Sequence, residues 1–556
     1  MNKKFLISAF TLAVFAPEVS AQVAPPDSGQ VQRDTTKSTL TPPTKSRIKA
    51  LPKLAEAHIP DIPLGGTEVL IKSVKFTGNT VYSNEELLAL ITDSLNKKHN
   101  LEGIRAIGTV VNNYYHENGY YFSRTIIPIQ EFNDGVLTIS IQEGIYGKVK
   151  VAGDESIAKG IGPFTETLQA GSVIELGKLE NALLTIDDIP GVSIFPVITE
   201  GATIGTADLT ITGKIDAITG GEIGVDNSGS RYTGPYRAKA RWFRNSSLVF
   251  GDNIELNATA SDASLWLGSI NYDAPLNGSG LRGQLNYSYT SYELGKDFAP
   301  LGATGFAKVW SATLGYNLIR SQKVNLHISG GYQHKDLNDH YSVAGVNQNK
   351  TSDSFPILLH FDRRDKFMGG GINYGLLTWT PGTLNLDAGQ LINDQGTART
   401  DGFFSKVNLD LVRIQSLPEN MSLYLRYSLQ TANKNLDSSE KMSLGRSGEG
   451  VRAYPIGEGT GDQGWLAQAE LRYNFDEYAP YIFYDAGSTQ SNHQAWDANS
   501  DKSRTIGGAG LGLRYNFADQ KFSANVNIAW RTDGGAPQND VGNGAYRINF
   551  SASYLF

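Results

Sequence analysis

The last eleven residues of the chain, Tyr546 to Phe556, read YRINFSASYLF. Large apolar side chains alternate with polar ones along this stretch, and Leu555 is the one apolar residue on the polar side. Alternation with a period of two is typical of a β-strand with one apolar and one polar face. Phe550, Tyr554 and the terminal Phe556 lie on the apolar face. The stretch therefore predicts a barrel-closing strand whose apolar face contacts membrane lipid.

The same alternation recurs from about residue 215 to the C-terminus, where no helical period is visible. Clear examples are MSLYLRYSLQ (421–430), WLAQAELRYNF (465–475) and KFSANVNIAW (521–530). Their second face carries charges, which suits a water-filled lumen better than the core of a β-sandwich. We count about sixteen such segments, an even number as closure of an antiparallel bacterial barrel requires. Residues 215–556 are therefore predicted to form a transmembrane β-barrel of about 16 antiparallel strands.

The N-terminus predicts export from the cytoplasm. Lys3 and Lys4 precede an apolar run from Phe5 to Ala16, and small residues follow up to Ala21. This order is that of a cleaved signal peptide over residues 1–21. A membrane anchor is the alternative, but about 12 apolar residues are too few to span a bilayer.

Composition and motifs argue against several other functions. The 556 residues include no cysteine and carry a net charge of −7, which excludes thiolate chemistry and gives no basic field for nucleic acid. The spaced glycines from Gly507 lie in a predicted strand, not after a βαβ unit. The stretch HKDLNDH (334–340) could bind a metal but is interpreted as a solvated extracellular loop. No catalytic, cofactor-binding or metal site is predicted, and the protein is not expected to be an enzyme.

Residues 22–66 are predicted to be a proline-rich linker with a candidate plug helix. Seven prolines punctuate this segment, and the proline-free stretch DSGQVQRDTTKS (27–38) between them is polar throughout. Asp27 or Ser28 could begin a short helix, but Gly29 and two threonines weaken it. Propensity alone favours disorder here.

Two tandem modules follow, each with the order β-α-α-β-β. The first covers residues 67–143, with Ser83 and Glu86 as a capping box before a helix. The second repeats the pattern over residues 144–214. A tandem repeat of this kind predicts two small α+β domains before the barrel.

The domain order and several local motifs of the chain resemble those of a known family. The order of linker, two modules and sixteen-stranded barrel is similar to a TpsB transporter of two-partner secretion, in the BamA-like superfamily, whose modules are POTRA domains. Four local motifs carry the resemblance: VRAYP (451–455), FYDAG (483–487), FDRRD (361–365) and LLTIDDIPGV (183–192). Ala453 stands where the family pattern usually has glycine, which puts the tightness of the loop tip in question.

The resemblance implies a function and its site residues. It implies a pore in the Gram-negative outer membrane that exports a large partner exoprotein, which POTRA domains in the periplasm hold unfolded. In the family, a long loop folds back into the lumen and its tip meets a wall strand, while a segment near the N-terminus forms a plug helix. The implied loop-tip residues are Val451, Arg452 and Tyr454. The implied wall residues are Phe483, Asp485 and Gly487.

The pairing of Arg452 with Asp485 also has support from the residues themselves. A carboxylate in a membrane-embedded strand must face the lumen and normally finds a cation there. The connection from about Thr431 to Asp462 is long and glycine-rich, and long ordered loops are usually functional. The alternative is that Arg452 is solvated and Asp485 is one lumenal charge among many. Because the lumen is expected to hold water, the pair is expected to contribute about 1 kcal/mol or somewhat more.

Partners follow from the same interpretation. They are the unfolded exoprotein, outer-membrane lipid, and periplasmic chaperones with the barrel-assembly machinery during biogenesis; the transporter is expected to be a monomer. Two other functions stay open from the sequence. A BamA-like insertase would share the architecture, although two POTRA modules and a proline-rich N-terminus favour secretion. A diffusive porin is disfavoured, because a passive pore needs no protein-binding domains.

Overall fold

The computed structural model describes residues 24–36, 40, 42–43, 66–445, 449–517, 521–540 and 544–556. The predicted signal peptide lies outside the described residues. The first described element is helix α1 (Ser28–Thr35), which begins after Asp27 because the Asp27 side chain accepts a hydrogen bond from the backbone N–H of Gln30. None of the helices in these ranges is long and apolar enough to cross a bilayer.

The first module packs helices on one face of a small sheet. Its elements are β1 (Val69–Ile71), β2 (Ser73–Thr77), α2 (Asn84–Leu90), β3 (Lys97–His99), α3 (Leu101–Glu117), β4 (Arg124–Ile126) and β5 (Val136–Gln142). The predicted capping box of Ser83 and Glu86 begins α2. Strand β5 lies between β2, to which it is parallel, and β4, to which it is antiparallel. Leu137, Ile139 and Ile141 alternate inward from β5 and form the core with the buried faces of the helices.

The second module has the same sheet order. Its elements are β6 (Ile145–Ala152), α4 (Glu155–Ile161), α5 (Leu176–Asp187), β7 (Val192–Glu200) and β8 (Thr206–Ile215). Strand β8 is central, parallel to β6 and antiparallel to β7. Both β6 and β7 are therefore edge strands, and β7 is the longer one.

The remaining strands close into an antiparallel barrel. They are β9 (Thr219–Asp226), β10 (Arg237–Asn245), β11 (Asn253–Ser261), β12 (Trp266–Pro275), β13 (Arg282–Glu293), β14 (Ala303–Arg320), β15 (Val324–Tyr341), β16 (Val346–Ser354), β17 (Ile357–Asp365), β18 (Gly371–Leu386), β19 (Gly402–Ser416), β20 (Met421–Ala432), β23 (Gln463–Tyr473), β24 (Tyr478–Gln490), β25 (Ser503–Asn516), β26 (Phe522–Asp533) and β27 (Tyr546–Leu555). Helix α6 (Ala388–Gly396) lies between β18 and β19, and the short hairpin of β21 (Met442–Ser443) and β22 (Thr460–Gly461) lies between β20 and β23.

Segments β16 and β17 are two halves of one strand. Both pair with β15 on one side and with β18 on the other. Pro356 separates the halves, and proline has no N–H to donate to a ladder. Counting the two halves as one gives sixteen barrel strands in the described part of the chain, so the predicted fold class is confirmed.

The C-terminal strand closes the barrel as its alternation predicts. Residues Ser551 to Leu555 of β27 pair with Asp226 to Glu222 of β9. On one face of β27, Tyr546, Ile548, Phe550, Tyr554 and Phe556 are exposed large apolar residues. On the other face Asn549 is buried in the lumen. The aromatic terminus thus lies on the outer surface of a closed sheet instead of fraying.

One prediction about the barrel is wrong. His334 to His340 do not form a loop, because they lie inside β15, whose Lys335, Leu337 and Asp339 are buried in the lumen. The residues between them, which include Asp336 and Asn338, are also polar. A strand with two polar faces has no visible alternation of hydrophobicity, and this is why the sequence did not indicate it.

Candidate functional site

The long connection between β20 and β23 folds back into the barrel. It covers residues 433–462, of which 446–448 lie outside the described residues. Its tip residues Val451, Arg452 and Tyr454 are all buried. Because the contacts of the tip are with lumenal side chains of the wall, the loop fills part of the pore.

Arg452 binds Asp485 of β24 through three donors. Its Nε lies 2.8 Å and its backbone N 3.1 Å from Asp485 Oδ2, and its Nη2 lies 2.7 Å from Asp485 Oδ1. This fork-to-carboxylate geometry is among the strongest charge-assisted arrangements in proteins. Both residues are buried, with 2% of Arg452 and 0% of Asp485 exposed. The expectation of a water-exposed, weak pair is therefore wrong, since loop and wall exclude solvent from it.

A second carboxylate, Glu470 of β23, completes the site. Its Oε1 accepts a hydrogen bond of 2.6 Å from Arg452 Nη1. Arg472 and Arg514 also form ion pairs with Glu470, at 2.7 and 2.9 Å. The sequence analysis did not identify Glu470. Glu470 lies on the charged face of WLAQAELRYNF, which predicts that it faces the lumen. This pattern does not distinguish Glu470 from other lumenal charges. We call Arg452, Asp485 and Glu470 the loop clamp.

The neighbours of Asp485 on its strand shape the receiving surface. The guanidinium of Arg452 lies 3.5 Å from the centroid of the Phe483 ring, a cation–π distance. A Cβ atom on Gly487 would lie 2.7 Å from Leu444 Cδ2 of the loop and 2.8 Å from the backbone O of Trp465, so a side chain here would crowd both the loop and the wall. Phe483 and Asp485 thus contact the loop directly, and Gly487 leaves space for it.

The loop tip accommodates alanine at position 453. Ala453 is not among the described residues with positive φ, so its backbone does not require glycine. Its methyl group packs on Gly508 of β25, where a Cβ atom would lie 2.6 Å away. Gly508 therefore provides the space for the Ala453 methyl group, so position 453 does not need to be glycine. Beside it, the Tyr454 hydroxyl donates a 2.6 Å hydrogen bond to the backbone O of Asp533.

Helix α1 occupies the lumen at the end of the barrel opposite the modules. Val31 packs against Tyr232, Leu265 and Leu294, which lie in the β9–β10, β11–β12 and β13–β14 connections. Ser28 donates from its backbone N and its Oγ to the two oxygens of Asp339 on β15, both at 2.8 Å. These tertiary contacts stabilise a helix that intrinsic propensity does not favour.

One lysine joins α1, the loop and the wall. Lys350 of β16 lies 2.7 Å from Asp27 Oδ2 and 2.5 Å from Oδ2 of Asp437 in the loop. Arg33 of α1 also donates a 2.8 Å hydrogen bond to the backbone O of Ser438. We call Asp27, Ser28, Lys350, Asp339 and Asp437 the plug clamp. Sequence reasoning missed its wall residues, because Asp339 was assigned to a loop and Lys350 matched no motif.

The base of the loop is fixed by further buried charges. Glu440 binds Lys335 and Lys406 at 2.5 and 2.8 Å. Glu458 and Asp462, both fully buried, bind Arg504 and Lys441. The arrangement can hold two segments inside a pore.

Comparison with known proteins gives the family. The family model described as haemolysin secretion/activation protein ShlB/FhaC/HecB matches residues 205–515, more than half of the chain. A model described as POTRA domain, ShlB-type, matches residues 69–144. The heme/hemopexin transporter protein HuxB of Haemophilus influenzae is 25% identical in an alignment of 545 positions, which covers 94% of this chain and 94% of the relative. The outer membrane transporter CdiB of Dickeya dadantii is 23% identical in an alignment of 558 positions, which covers 95% of each chain.

Solved structures show the same fold. CdiB from Escherichia coli superposes with a TM-score of 0.76 and 20% identity, covering 92% of this chain and 94% of that one. CdiB from Acinetobacter baumannii gives 0.68 and 16% identity with the same coverage. The relatives are named as transporters, not enzymes. The chain belongs to the haemolysin secretion/activation protein family ShlB/FhaC/HecB: it is an outer-membrane transporter of two-partner secretion, with its POTRA region in the periplasm.

Proposed function

We propose that this transporter exports one large exoprotein in unfolded form, and that the loop and α1 together close its pore at rest. The observation that carries the proposal is the occupied lumen. Two segments far apart in sequence each bind a buried charge of the barrel wall, Lys350 and Asp485. A pore for passive diffusion has no use for segments that occupy its lumen. An exporter with a wide pore must prevent leakage of solutes between transport events.

Capture of the exoprotein is assigned to the POTRA domains, over residues 67–143 and 144–214. Unfolded segments bind exposed sheet edges by strand addition, in which backbone hydrogen bonds give the affinity. Strand β7 offers the longer edge, and Phe195 and Val197 on it are exposed. Pro196 interrupts the donors of this edge, which limits uncontrolled pairing with other strands. We therefore place the main capture edge at β7.

The transporter is further proposed to act as a monomer in the lipid of the outer membrane, with barrel residues 215–556 spanning it. Periplasmic chaperones and the barrel-assembly machinery are its proposed partners during biogenesis. Folding of the exoprotein outside the cell is the proposed driving force.

Site-specific photo-crosslinking in cells tests the capture step. A photoreactive amino acid replaces Val197 in the full-length transporter, which is expressed together with its exoprotein. We expect an adduct of the two proteins during export. The control position is Val110 on α3, because its exposure of 45% is close to the 51% of Val197. Equal adduct yields at both positions would exclude β7 as the capture edge.

A further inference from the structure

The second POTRA domain is joined to the barrel by three consecutive periplasmic turns. They are the turns at residues 246–252, 276–281 and 321–323, which connect neighbouring strand pairs from β10 to β15. Each turn contacts a different part of the domain. Three attachment points restrain rotation of the domain more than a single flexible linker does.

The polar part of this joint centres on Arg320 at the end of β14. Its Nε and Nη2 donate to the two carboxylate oxygens of Asp188, both at 2.7 Å. Its Nη1 donates to Asn325 Oδ1 at 3.0 Å, which orients the guanidinium from the barrel side. Asp188 is the C-cap of α5, where a cation also meets the negative end of the helix dipole. Nearby, the backbone N of Gln322 donates to Glu180 Oε1 at 2.9 Å.

The apolar part of the joint brings backbones into direct contact. A Cβ atom on Gly278 would overlap the backbone O of Pro163. A Cβ atom on Gly191 would overlap the backbone O of Ala217 and lie 2.7 Å from Asn245 Nδ2 of β10. A Cβ atom on Gly251 would lie 3.0 Å from Ile189. Surfaces packed this closely do not slide without losing their contacts.

The joint explains the motif LLTIDDIPGV. Its residues Asp188, Ile189 and Gly191 all contact the barrel, and Val192 then begins β7. The anchored turn therefore leads directly into the proposed capture edge. A displacement of this turn would carry β7 with it.

We infer that the second POTRA domain is a fixed part of the barrel mouth throughout export, and that Arg320 is the positioning residue that holds it. The exoprotein is then handed to the pore from a constant position and not by a swinging arm. The inference goes beyond the proposed function, since export could proceed with a fixed or a mobile domain.

Substitutions at the joint provide the first test. We expect Arg320→Ala to lower export of the exoprotein several-fold, while heat-modifiable barrel accumulates normally in the outer membrane. The charge exchange Asp188→Arg with Arg320→Asp should restore export. Arg413→Ala is the matched control, because Arg413 forms a similar ion pair with Asp365 at the same end of the barrel without involving the POTRA domain. Unchanged export by Arg320→Ala, or no recovery in the exchange variant, would overturn the role of Arg320.

Chemical bridging distinguishes a fixed joint from a moving one. The chain contains no cysteine, so Asp188→Cys with Arg320→Cys introduces the only two thiols. A short bis-methanethiosulfonate reagent can span the former ion pair and is removed by reductant. We expect the unbridged variant to export poorly and the bridged variant to regain export. If bridging instead blocks export and reductant relieves the block, the domain must move and the inference is wrong.

A spectroscopic measurement gives a readout that does not depend on the exoprotein. Spin labels at Glu166 of the domain and Asn420 of a distant periplasmic turn are both on exposed residues. In the full-length protein in nanodiscs, the distance distribution should be narrow. Arg320→Ala should broaden it and the charge exchange should narrow it again. A broad distribution in the otherwise unaltered protein would contradict a fixed domain.

Discussion

The two clamps inside the barrel hold their segments in different ways. In the loop clamp, Arg452 supplies the cation for Asp485. Among the described residues, Gln468 Nε2 at 3.4 Å is the side-chain donor that Asp485 keeps when the loop leaves. In the plug clamp, each wall residue keeps a partner when α1 leaves. Lys350 retains Asp437, and Asp339 retains the hydroxyl of Tyr292.

This difference sets the energetic order of release. Leaving one buried charge uncompensated costs about 3–5 kcal/mol, whereas charges that exchange one partner for water or a neighbour cost far less. Withdrawal of helix α1 leaves Lys350 with Asp437, whereas withdrawal of the loop takes the cation away from Asp485. We expect the plug to leave first and the loop to be the stronger barrier.

The largest expected effect is at the loop clamp. Arg452→Ala leaves Asp485 buried without its cation and should cost the lumenal position of the loop about 3–5 kcal/mol. Asp485→Ala should cost less, because Arg452 keeps its ion pair with Glu470. Secretion should fall while membrane-inserted, heat-modifiable protein stays at normal levels, and the loop should become sensitive to added protease.

The double variant sharpens this prediction. Because Arg452 and Asp485 act as one unit, removing both should be no worse than removing Arg452 alone. Measured losses that simply add, or normal secretion by both single variants, would show that the two residues are not partners.

The second effect concerns the plug. Deletion of Asp27–Thr39 should raise single-channel conductance in planar bilayers, because α1 no longer fills its end of the lumen. The loop clamp should persist, so Arg452→Ala in the deletion background should raise conductance further. Unchanged conductance after the deletion would rule out α1 as a barrier.

Removing a single contact of the plug should change conductance less than deleting the whole segment. Asp27→Asn removes one of two carboxylates from Lys350 and leaves Asp437 in place, so α1 should lose about 1 kcal/mol of attachment. Brief openings should become several-fold more frequent without a change in the closed level. Asp34→Asn is the control, since the ion pair of Asp34 is with Arg33 on the same helix. An equal effect of both substitutions would exclude Lys350 as the specific anchor.

The smallest effect lies outside the membrane, at a carboxylate that hydrogen bonds hold in place. Burial acts to raise the pKa of Glu143, but hydrogen bonds from Thr80, Val81 and Tyr115 outweigh it and lower the pKa below its ordinary value of 4.5. A lowered pKa in the folded state means that stability is present above the unfolded value and is lost as the pH falls through the folded one.

Thermal unfolding of the first POTRA domain, followed by circular dichroism in the full chain, should therefore shift to lower temperature only below about pH 4.5. Glu143→Gln should be less stable at neutral pH and lack most of this dependence. A variant with the same pH profile as the unaltered protein would contradict the assignment.

The sequence by itself determined the architecture. Period-two alternation marked the barrel and its closing strand at Tyr546–Phe556, and the β-α-α-β-β repeat marked the two modules. These features are local, since a strand or helix displays its buried face in its own residue spacing. The motifs around Arg452 and Asp485 could be found because their pattern of residues is also local.

Only the tertiary structure decided which charges meet in the lumen. Lys350 lies 323 residues from Asp27, and Asp339 lies 311 residues from Ser28. The stretch from His334 to His340 in β15 is polar on both faces, so it shows no alternation. Helix α1 has poor helix propensity, so its sequence did not predict a helix. Glu470 resembled any other lumenal charge until three arginines were found around it. Ion pairing across a closed barrel depends on register and on loops that return to the lumen, and neither leaves a periodic signal in the sequence.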